Sequence, residues 1–375
     1  MGKLHETTGT SMMLGTFRGA LVKKALFFFI GLAISVYFLR MAFENVPLHE
    51  LKTSISQINY YYIFWAVLSV LLGCILRTLR WKILLSHEIK FSTCFHILMT
   101  GFSLNCILPG RLGEVARPIL VAQKTKTSFP GAVSSVLLER LFDLFTLLVL
   151  FSFLISWIPI PESLSYTFGK YEFNSALLIS LAGLMIKLFL VLLGCVLLLA
   201  FKRTRKIFDR IISAALKYVC IFPEKIADIL KRFLLNPLAM FINYFVTGIE
   251  AIQTPMAFLS VMGLSFGTWF VQAFSFLMVA RAVPGISLGF VELAFVMVVI
   301  CFFIAIPSVP GYWGVWEAGG MFAMLVFDIP RSDAAGYQLI NHAVQIFPIM
   351  VVGFFSVLVI MFGGRSVVPE SLRQP

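Results

Sequence analysis

The residues with the clearest chemical potential are three charged side chains inside a long apolar run. Glu139, Arg140 and Asp143 lie in a segment that continues without further charge to Trp157. Arg140 and Asp143 are three positions apart, so they can pair on one helix face. Glu139 shares that face with Asp143 and therefore needs a cation from elsewhere. Charges inside a membrane are costly unless paired or hydrated, so the segment predicts either a buried ion network or a polar cavity for a charged headgroup.

A Pro-Gly-x-x-Gly motif followed by a glutamate occurs twice, and each copy interrupts an apolar run. The copies contain Pro109, Gly110, Gly113 and Glu114 in the first half, and Pro310, Gly311, Gly314 and Glu317 in the second. Proline removes a backbone donor and glycine removes side-chain constraint, so each copy predicts a helix break. Paired breaks in corresponding positions of two halves are typical of a transporter binding site. The alternative is two ordinary loops that share Pro-Gly.

The arginines near the first motif are candidates for binding an anion. Arg111 lies in the motif, and Arg117 precedes Pro118, where the returning half-helix is expected to begin or kink. The N-terminus of a half-helix favours an anion, and arginine can bind a phosphate through two parallel hydrogen bonds. These residues would suit a lipid phosphodiester, and either arginine is also a natural partner for Glu139.

The second motif offers a different chemistry. Glu317 is the acid nearest to it and is flanked by Trp313 and Trp316. A carboxylate beside aromatic faces suits an amine or a sugar, and the tryptophans would equally suit anchoring at the membrane interface. Polar residues such as Asn105 and His342 are alternatively contacts between helices. The predicted polar lining comprises Arg111, Glu114, Arg117, Glu139, Arg140, Asp143, Glu317, Trp313, Asn105 and His342.

The composition indicates a membrane protein. Hydrophobic residues make up 59% of the chain and charged residues 13%, which is about half the charged fraction of a typical soluble domain. The net charge of +12 comes from basic residues clustered beside apolar runs, which indicates membrane topology rather than nucleic-acid binding. Histidines and cysteines are dispersed, and the sequence has no Walker, HExxH or GxSxG motif. We therefore expect no catalytic residue of a familiar kind, no metal and no cofactor.

The elements that must position these residues are about six full spans and two broken, re-entrant hairpins, together about eight transmembrane helices in an all-α polytopic fold. Each span has the ~20 residues needed to cross ~30 Å at 1.5 Å per residue. The predicted spans are 25–43, 60–79, 131–157, 175–201, 256–279 and 337–362, and the predicted hairpins are 91–123 and 288–327. The alternative is that each hairpin arm spans the membrane fully.

Basic residues in the short loops predict the orientation. Lys23 and Lys24, the group Arg77, Arg80, Lys82 and Lys90, and the basic segment 202–232 all predict cytoplasmic positions. Each hairpin then enters and leaves on one side, and the two halves have opposite orientation, as in an inverted repeat. We expect both termini in the cytoplasm and a location in a prokaryotic cell (inner) membrane.

The domain boundaries follow from the same pattern. We predict a cytoplasmic tail at 1–22, an N-terminal membrane half at 23–201, a basic amphipathic cytoplasmic linker at 202–255, a C-terminal membrane half at 256–364 and a cytoplasmic tail at 365–375. The linker would place amphipathic helices on the inner leaflet or form an ordinary helical connection.

Three ordered motifs resemble the lysylphosphatidylglycerol synthase transmembrane-region family: 108–114, 138–143 and 310–317. The resemblance covers nearly the whole chain and implies a module similar to a lipid flippase. In the multiple-peptide-resistance relatives, this module moves aminoacylated phosphatidylglycerol to the outer leaflet and is fused to a cytoplasmic aminoacyl-tRNA-dependent transferase. This chain ends at Pro375 without room for that domain, so we do not expect synthase activity.

The motifs and the resemblance together predict a protein that binds and translocates an anionic or aminoacylated phospholipid or a glycolipid between leaflets. One alternative is a non-transporting accessory or scaffold subunit for a lipid-linked glycosyltransferase. Another is a membrane-embedded lipid-modifying enzyme that uses Glu139 or Asp143 as a base. The expected partners are the membrane lipid, a separate cytoplasmic transferase or glycosyltransferase, and a second copy of the chain in a homodimer; nucleic acid is not expected.

Overall fold

The computed structural model describes residues 56–85, 89–108, 111–158, 165–168, 171–174, 254–306 and 308–362, with separate short pieces between residues 32 and 49 and between residues 176 and 240. Within these residues, eight α-helices are described over their whole length. They are α1 (Tyr60–Leu84), α2 (Phe91–Ile107), α3 (Leu112–Lys124), α4 (Phe129–Trp157), α5 (Pro255–Ala282), α6 (Phe290–Phe303), α7 (Val315–Leu325) and α8 (Arg331–Phe362). Strands β1 (Ser165–Phe168) and β2 (Tyr171–Asn174) form a small antiparallel hairpin, and a π-helical turn covers Lys231–Leu235.

Three of these helices are long and apolar enough to cross a membrane: α1, α5 and α8. Helices α2 and α6 are shorter and also apolar, whereas α4 has 29 residues and carries the three charges near its middle. The expected all-α class is confirmed. The predicted spans at 25–43 and 175–201 are described only in part, and the two predicted tails and most of the predicted linker lie outside the described residues.

Side-chain caps explain where three of the helices begin. Asn59 accepts a hydrogen bond from the Tyr61 N–H at 3.1 Å before α1, and Ser128 accepts from the Gly131 N–H at 3.3 Å before α4. Thr254 accepts from the Ala257 N–H at 3.1 Å before α5. Each cap satisfies one of the backbone donors that a helix start leaves free. The caps fix the starting residues of α1, α4 and α5.

The first long helix continues past the end of the predicted span. Residues 60–79 were expected to cross the membrane, but α1 ends at Leu84. Arg77, Arg80 and Lys82 therefore belong to the helix, and their assignment to a cytoplasmic loop was wrong. Arg80 is fully buried. The basic residues that were counted as evidence for a cytoplasmic loop include Arg80, whose side chain is buried inside the helix bundle.

The packing of α1–α4 recurs among α5–α8. Helix α2 packs on α3 as α6 packs on α7, and α3 packs on α4 as α7 packs on α8. Helix α2 also packs against α8, and its counterpart α6 packs against α4. The counterparts α1 and α5 pack along each other. Each helix of the first half thus has a counterpart in the second half with matching neighbours.

Both Pro-Gly motifs lie between two helices, as the sequence predicts. The break after α2 precedes Leu112, and the break after α6 contains the short 3₁₀ turn Pro310–Tyr312. Arg111 and Tyr312 occupy the same position in the two motifs and share positive φ values of 54° and 63°. Pro109 and Gly110 lie outside the described residues. Helix α3 begins at Leu112 and contains Pro118, so the returning helix does not start at that proline, whereas a kink there stays a prediction.

A close approach between two glycines joins the arms of the first broken pair. A Cβ atom on Gly113 would lie 1.8 Å from the backbone oxygen of Gly101 and 2.6 Å from the Asn105 side-chain oxygen. A Cβ on Gly101 would lie 2.4 Å from the Arg117 side chain. Small residues at such a contact let two helix backbones meet closely. This contact sets the position of Arg117 relative to α2.

Candidate functional site

A cavity of about 220 Å³ lies where all eight helices meet the two breaks. Each of the eight helices contributes at least one lining residue. The charged and amide side chains of the lining are Arg77, Asn105, Arg111, Glu114, Arg140, Gln272 and Gln345. The rest of the lining is mainly apolar and includes Trp269, Trp316, Cys106 and Cys301. A charged interior is therefore enclosed by helices whose outer faces are apolar.

Behind this cavity, Glu139 holds three arginines together. Its carboxylate is fully buried and accepts a hydrogen bond from the Arg117 guanidinium at 2.5 Å. The same carboxylate lies 3.5 Å from Arg140 and 3.6 Å from Arg80. Of the two partners that the sequence offered for Glu139, Arg111 and Arg117, the structure places Arg117 against it. The three contacts join α1, α3 and α4 through one buried acid.

Asp143 has a different closest partner from the expected one. Arg80 donates to the Asp143 carboxylate at 2.7 Å and to the Ser265 hydroxyl at 2.9 Å. The predicted Arg140–Asp143 pair is also present, at 3.4 Å. Buried charges tolerate low dielectric only when well paired and hydrogen-bonded. Asp143 therefore links α4 to α1 and, through Arg80, to α5.

Trp81 supports the buried arginine of α3. The Arg117 guanidinium lies 4.0 Å from the centroid of the Trp81 ring, within range for a cation–π interaction. The Trp81 indole N–H donates to the hydroxyl of Ser135 on α4 at 3.0 Å. The ring is fully buried. Its hydrogen bond and its stacking fix the register of α1, α3 and α4 around Glu139.

Arg140 connects the buried network to the cavity. Its side chain is 36% exposed, and its guanidinium lies 3.6 Å from the Glu114 carboxylate. The opposite side of the same guanidinium contacts Glu139 and Asp143. Arg140 and Glu114 both line the cavity, whereas Glu139 and Asp143 lie behind it. The cavity wall therefore presents the outer edge of a larger ion network.

Arg111 links the two breaks. Its guanidinium donates a hydrogen bond to the backbone oxygen of Ile304, which follows α6. It also lies 5.7 Å from the centroid of the Tyr312 ring, the residue that matches it in the second motif. All three residues line the cavity. The two motifs, 201 positions apart in the sequence, thus meet at one wall of the site.

The acid of the second motif performs a structural task. Glu317 is fully buried, and its carboxylate accepts the Gly314 N–H at 2.7 Å at the start of α7. His342 Nδ1 lies 2.5 Å from the same carboxylate, and Nε2 lies 2.8 Å from the Gly311 backbone oxygen. Both ring nitrogens face oxygen acceptors, so the pair shares a proton and is neutral overall. Glu317 and His342 hold the second break in shape.

The tryptophans of the second motif frame that pair. The Trp316 ring stacks on the His342 ring with a centroid distance of 4.7 Å. The centroid of the Trp313 ring lies 4.4 Å from that of His342, and the two ring planes are tilted by 46°. Trp316 lines the cavity, but Trp313, Glu317 and His342 are not among its lining residues. The structure therefore separates these three predicted lining residues from the cavity. The predicted amine or sugar site at Glu317 is filled by the protein's own imidazole.

Two further amides lie between α5 and α8. Gln272 and Gln345 are hydrogen-bonded at 2.5 Å, and Gln345 also donates to Ser275 at 3.0 Å and to Asn341 at 3.2 Å. The bonds to Gln272 and Ser275 join α8 to α5, which is the interhelical role that polar residues take inside membranes, whereas Asn341 lies on α8 itself. Asn105, on α2, lines the cavity and has a buried side-chain oxygen with no partner among the described residues.

Arg77 is the cavity residue that sequence reasoning missed. Its guanidinium lies 5.0 Å from the Trp269 ring centroid and 5.9 Å from that of Phe102. Arg77 and Arg80 are three positions apart, so they share one face of α1. That spacing was the available signal, since a helix continuing past Leu79 would turn both side chains inward together. Within the described part of the chain, no group of three His, Cys, Asp or Glu side chains is placed to hold a metal ion.

Comparison with known proteins gives one match. A family model described as lysylphosphatidylglycerol synthase TM region matches residues 28–353. The matched range contains both breaks and every residue that lines the cavity. No curated protein and no solved structure matches the chain.

Proposed function

The chain belongs to the lysylphosphatidylglycerol synthase TM region family, and from this premise we propose that it translocates a lipid between the leaflets of a cell membrane. Membership and the apolar helices make it a membrane protein tied to lipid handling. The proposal adds that the headgroup enters the cavity at the two breaks while the acyl chains stay in the surrounding lipid.

The observation that carries the proposal is the charged cavity inside an apolar helix bundle. Arg77, Arg111 and Arg140 line it together with Glu114. Guanidinium groups bind phosphate through directed, charge-assisted hydrogen bonds, and these are stronger where water is excluded. A headgroup in this cavity would exchange its hydration for protein contacts. That exchange lowers the barrier that charged groups face in hydrocarbon.

The proposal includes an inverted repeat with two re-entrant hairpins. The matching neighbours of α1–α4 and α5–α8, and the shared positive φ at Arg111 and Tyr312, support two related halves. Helix α3 has 13 residues and α7 has 11, or ~20 Å and ~17 Å at 1.5 Å per residue. These lengths fall short of the ~30 Å hydrocarbon core, which favours re-entrant arms over full spans. Rocking of one half against the other would then open the cavity to each leaflet in turn.

Orientation and partners extend the proposal. The basic residues of 202–232 favour a cytoplasmic connection between the halves and cytoplasmic termini, since lysine and arginine in short loops stay on that side. A separate cytoplasmic transferase or glycosyltransferase would supply the lipid. The cavity favours transport over a purely scaffolding role, because a scaffold has no use for unpaired guanidinium groups inside the bundle.

Arg111→Asn is expected to slow lipid exchange by roughly tenfold or more, since it removes charge-assisted hydrogen bonds worth ~1.5–3 kcal/mol each. Asparagine tolerates the left-handed backbone that Arg111 adopts, so the break itself should persist. The measurement is the rate at which acyl-labelled phosphatidylglycerol in liposomes containing the full-length chain becomes accessible to a membrane-impermeant quencher.

The matched control is Arg281→Asn. Arg281 is exposed, lies in the last turn of α5 and is not among the cavity-lining residues. This variant should exchange lipid at the wild-type rate. Wild-type proteoliposomes that exchange no lipid faster than empty liposomes would refute the proposed function.

A further inference from the structure

The ion network contains more cations than anions. Within the described residues, the charged groups that line the cavity or lie directly behind it are Arg77, Arg80, Arg111, Arg117 and Arg140, with Glu114, Glu139 and Asp143. Glu139 and Asp143 are each shared by at least two arginines, and Glu114 pairs with Arg140. Every carboxylate in the set is therefore already neutralised by the protein.

Arg77 and Arg111, the two cations of this set that have no carboxylate partner among the described residues, both line the cavity. Neither Arg77 nor Arg111 lies within 4.0 Å of a carboxylate in the part of the chain that the structure describes. Arg111 still donates to the Ile304 backbone oxygen. Arg77 has no hydrogen bond to any described residue, and its guanidinium lies against the Trp269 and Phe102 rings. Asp143 attracts it electrostatically without reaching ion-pair distance. Those ring faces attract the positive charge but leave the five N–H donors of the guanidinium available.

The cavity offers no matching site for an ammonium group. Glu114 is the carboxylate of the described lining, and its partner Arg140 lies 3.6 Å away. The neutral Glu317–His342 pair lies outside the lining and is fully buried. An amine entering the cavity would meet the guanidinium groups of Arg77 and Arg111 and, among the described lining residues, no acid without a cationic partner. Like charges in a water-poor site repel strongly, and this disfavours a cationic headgroup.

We propose that the transported lipid is anionic, with a phosphate and otherwise uncharged polar groups, and that Arg77 is its phosphate-binding residue. This inference rests on the proposed function and narrows its substrate class. It excludes aminoacylated lipids, in which an ammonium group offsets the phosphate. The phosphate offsets one of the two excess positive charges and accepts hydrogen bonds from the donors that Arg77 leaves unused.

The test compares headgroups on identical, labelled acyl chains, so that the label does not alter the charge. Liposomes contain the full-length chain and traces of phosphatidylglycerol, its lysyl ester or phosphatidylcholine. Phosphatidylglycerol should exchange roughly tenfold faster than the lysyl ester, which corresponds to about 1.4 kcal/mol. Phosphatidylcholine should resemble the lysyl ester, because its ammonium group also meets the two arginines.

The same assay tests Arg77. Arg77→Gln should slow phosphatidylglycerol exchange roughly tenfold and bring it to the rate of the lysyl ester, because one unmatched cation is lost. Arg77→Lys keeps the charge and should retain part of the preference. Arg281→Gln is the matched control and should change neither rate nor preference. The comparison of headgroups uses the wild-type chain, so it tests the anionic substrate even if Arg77→Gln misfolds.

The outcomes separate this inference from the proposed function. Equal exchange of phosphatidylglycerol and the lysyl ester, or faster exchange of the ester, would overturn the anionic substrate and leave translocation standing. No exchange of any lipid would remove the proposed function and the inference with it. Glycerol phosphate in the buffer should leave exchange unchanged, and strong inhibition by it would identify a soluble phosphate ester as the occupant instead.

Discussion

Glu139→Ala is expected to lower the free energy of unfolding by about 3–5 kcal/mol, the cost of removing one partner from a buried ion pair. Glu139 is fully buried and contacts Arg117, Arg140 and Arg80. Without it, Arg117 has no carboxylate within ion-pair distance among the described residues. A buried guanidinium with no counter-charge keeps its full desolvation penalty, so the damage should exceed the loss of any single contact.

The measurement is thermal or denaturant unfolding of the purified chain in detergent micelles. Glu292→Ala is the control, because Glu292 lies half-buried in the first turn of α6 and its interaction with the helix dipole is worth only ~0.3–1 kcal/mol. A Glu139→Leu, Arg117→Met double variant should recover part of the lost stability, since it leaves no stranded charge in that pair. A Glu139→Ala protein as stable as the wild type would show that the network carries no such energy.

Gly113→Ala is expected to disrupt the first broken pair. The added methyl group would lie 1.8 Å from the Gly101 backbone oxygen, and a backbone atom cannot move aside as a side chain can. Overpacking typically costs ~1–3 kcal/mol, and this clash belongs at or above the upper end of that range. Because α3 carries both Glu114 and Arg117, we also expect the cavity wall to lose its alignment and lipid exchange to fall.

Gly263→Ala is the matched control for this effect. A Cβ on Gly263, within α5, would meet no atom within 4 Å. Alanine is the better helix former by ~1 kcal/mol, so this variant should be as stable as the wild type or more so. Unfolding temperatures of the two variants, measured side by side, distinguish a local clash from a general effect of the substitution. Equal stability of both would contradict the glycine contact.

Sequence reasoning reached the parts of the site that follow from local physical constraints. Charges in an apolar run need partners, and this predicted that Glu139 would meet an arginine near the first motif. Proline and glycine within apolar runs predicted both helix breaks. The expectation that polar residues make contacts between helices also holds for Gln345 of α8, which is hydrogen-bonded to Gln272 of α5.

Other parts of the site depend on contacts between distant segments. Arg77 and Arg80 were assigned to a loop because a count of basic residues cannot distinguish a topology signal from the buried partner of an acid on another helix. Asp143 binds Arg80, 63 positions earlier, more closely than its own helical neighbour Arg140. Glu317 resembles a ligand residue in sequence, but its role depends on His342, which α8 brings to it. Such pairings become visible only in the folded chain.

The central claim is that the cavity is the path of the headgroup, and the most direct test is to fill it. Cys301 lines the cavity and is only partly buried, so Cys301→Trp places an indole in a space of about 220 Å³ without replacing any charged residue. Cys301→Ala, which leaves the space open, is the control. We predict that the tryptophan variant folds with an unfolding temperature near that of the wild type but exchanges lipid no faster than empty liposomes, while the alanine variant remains active. Wild-type exchange by a folded Cys301→Trp protein would contradict the account, because the lipid would then cross by another route.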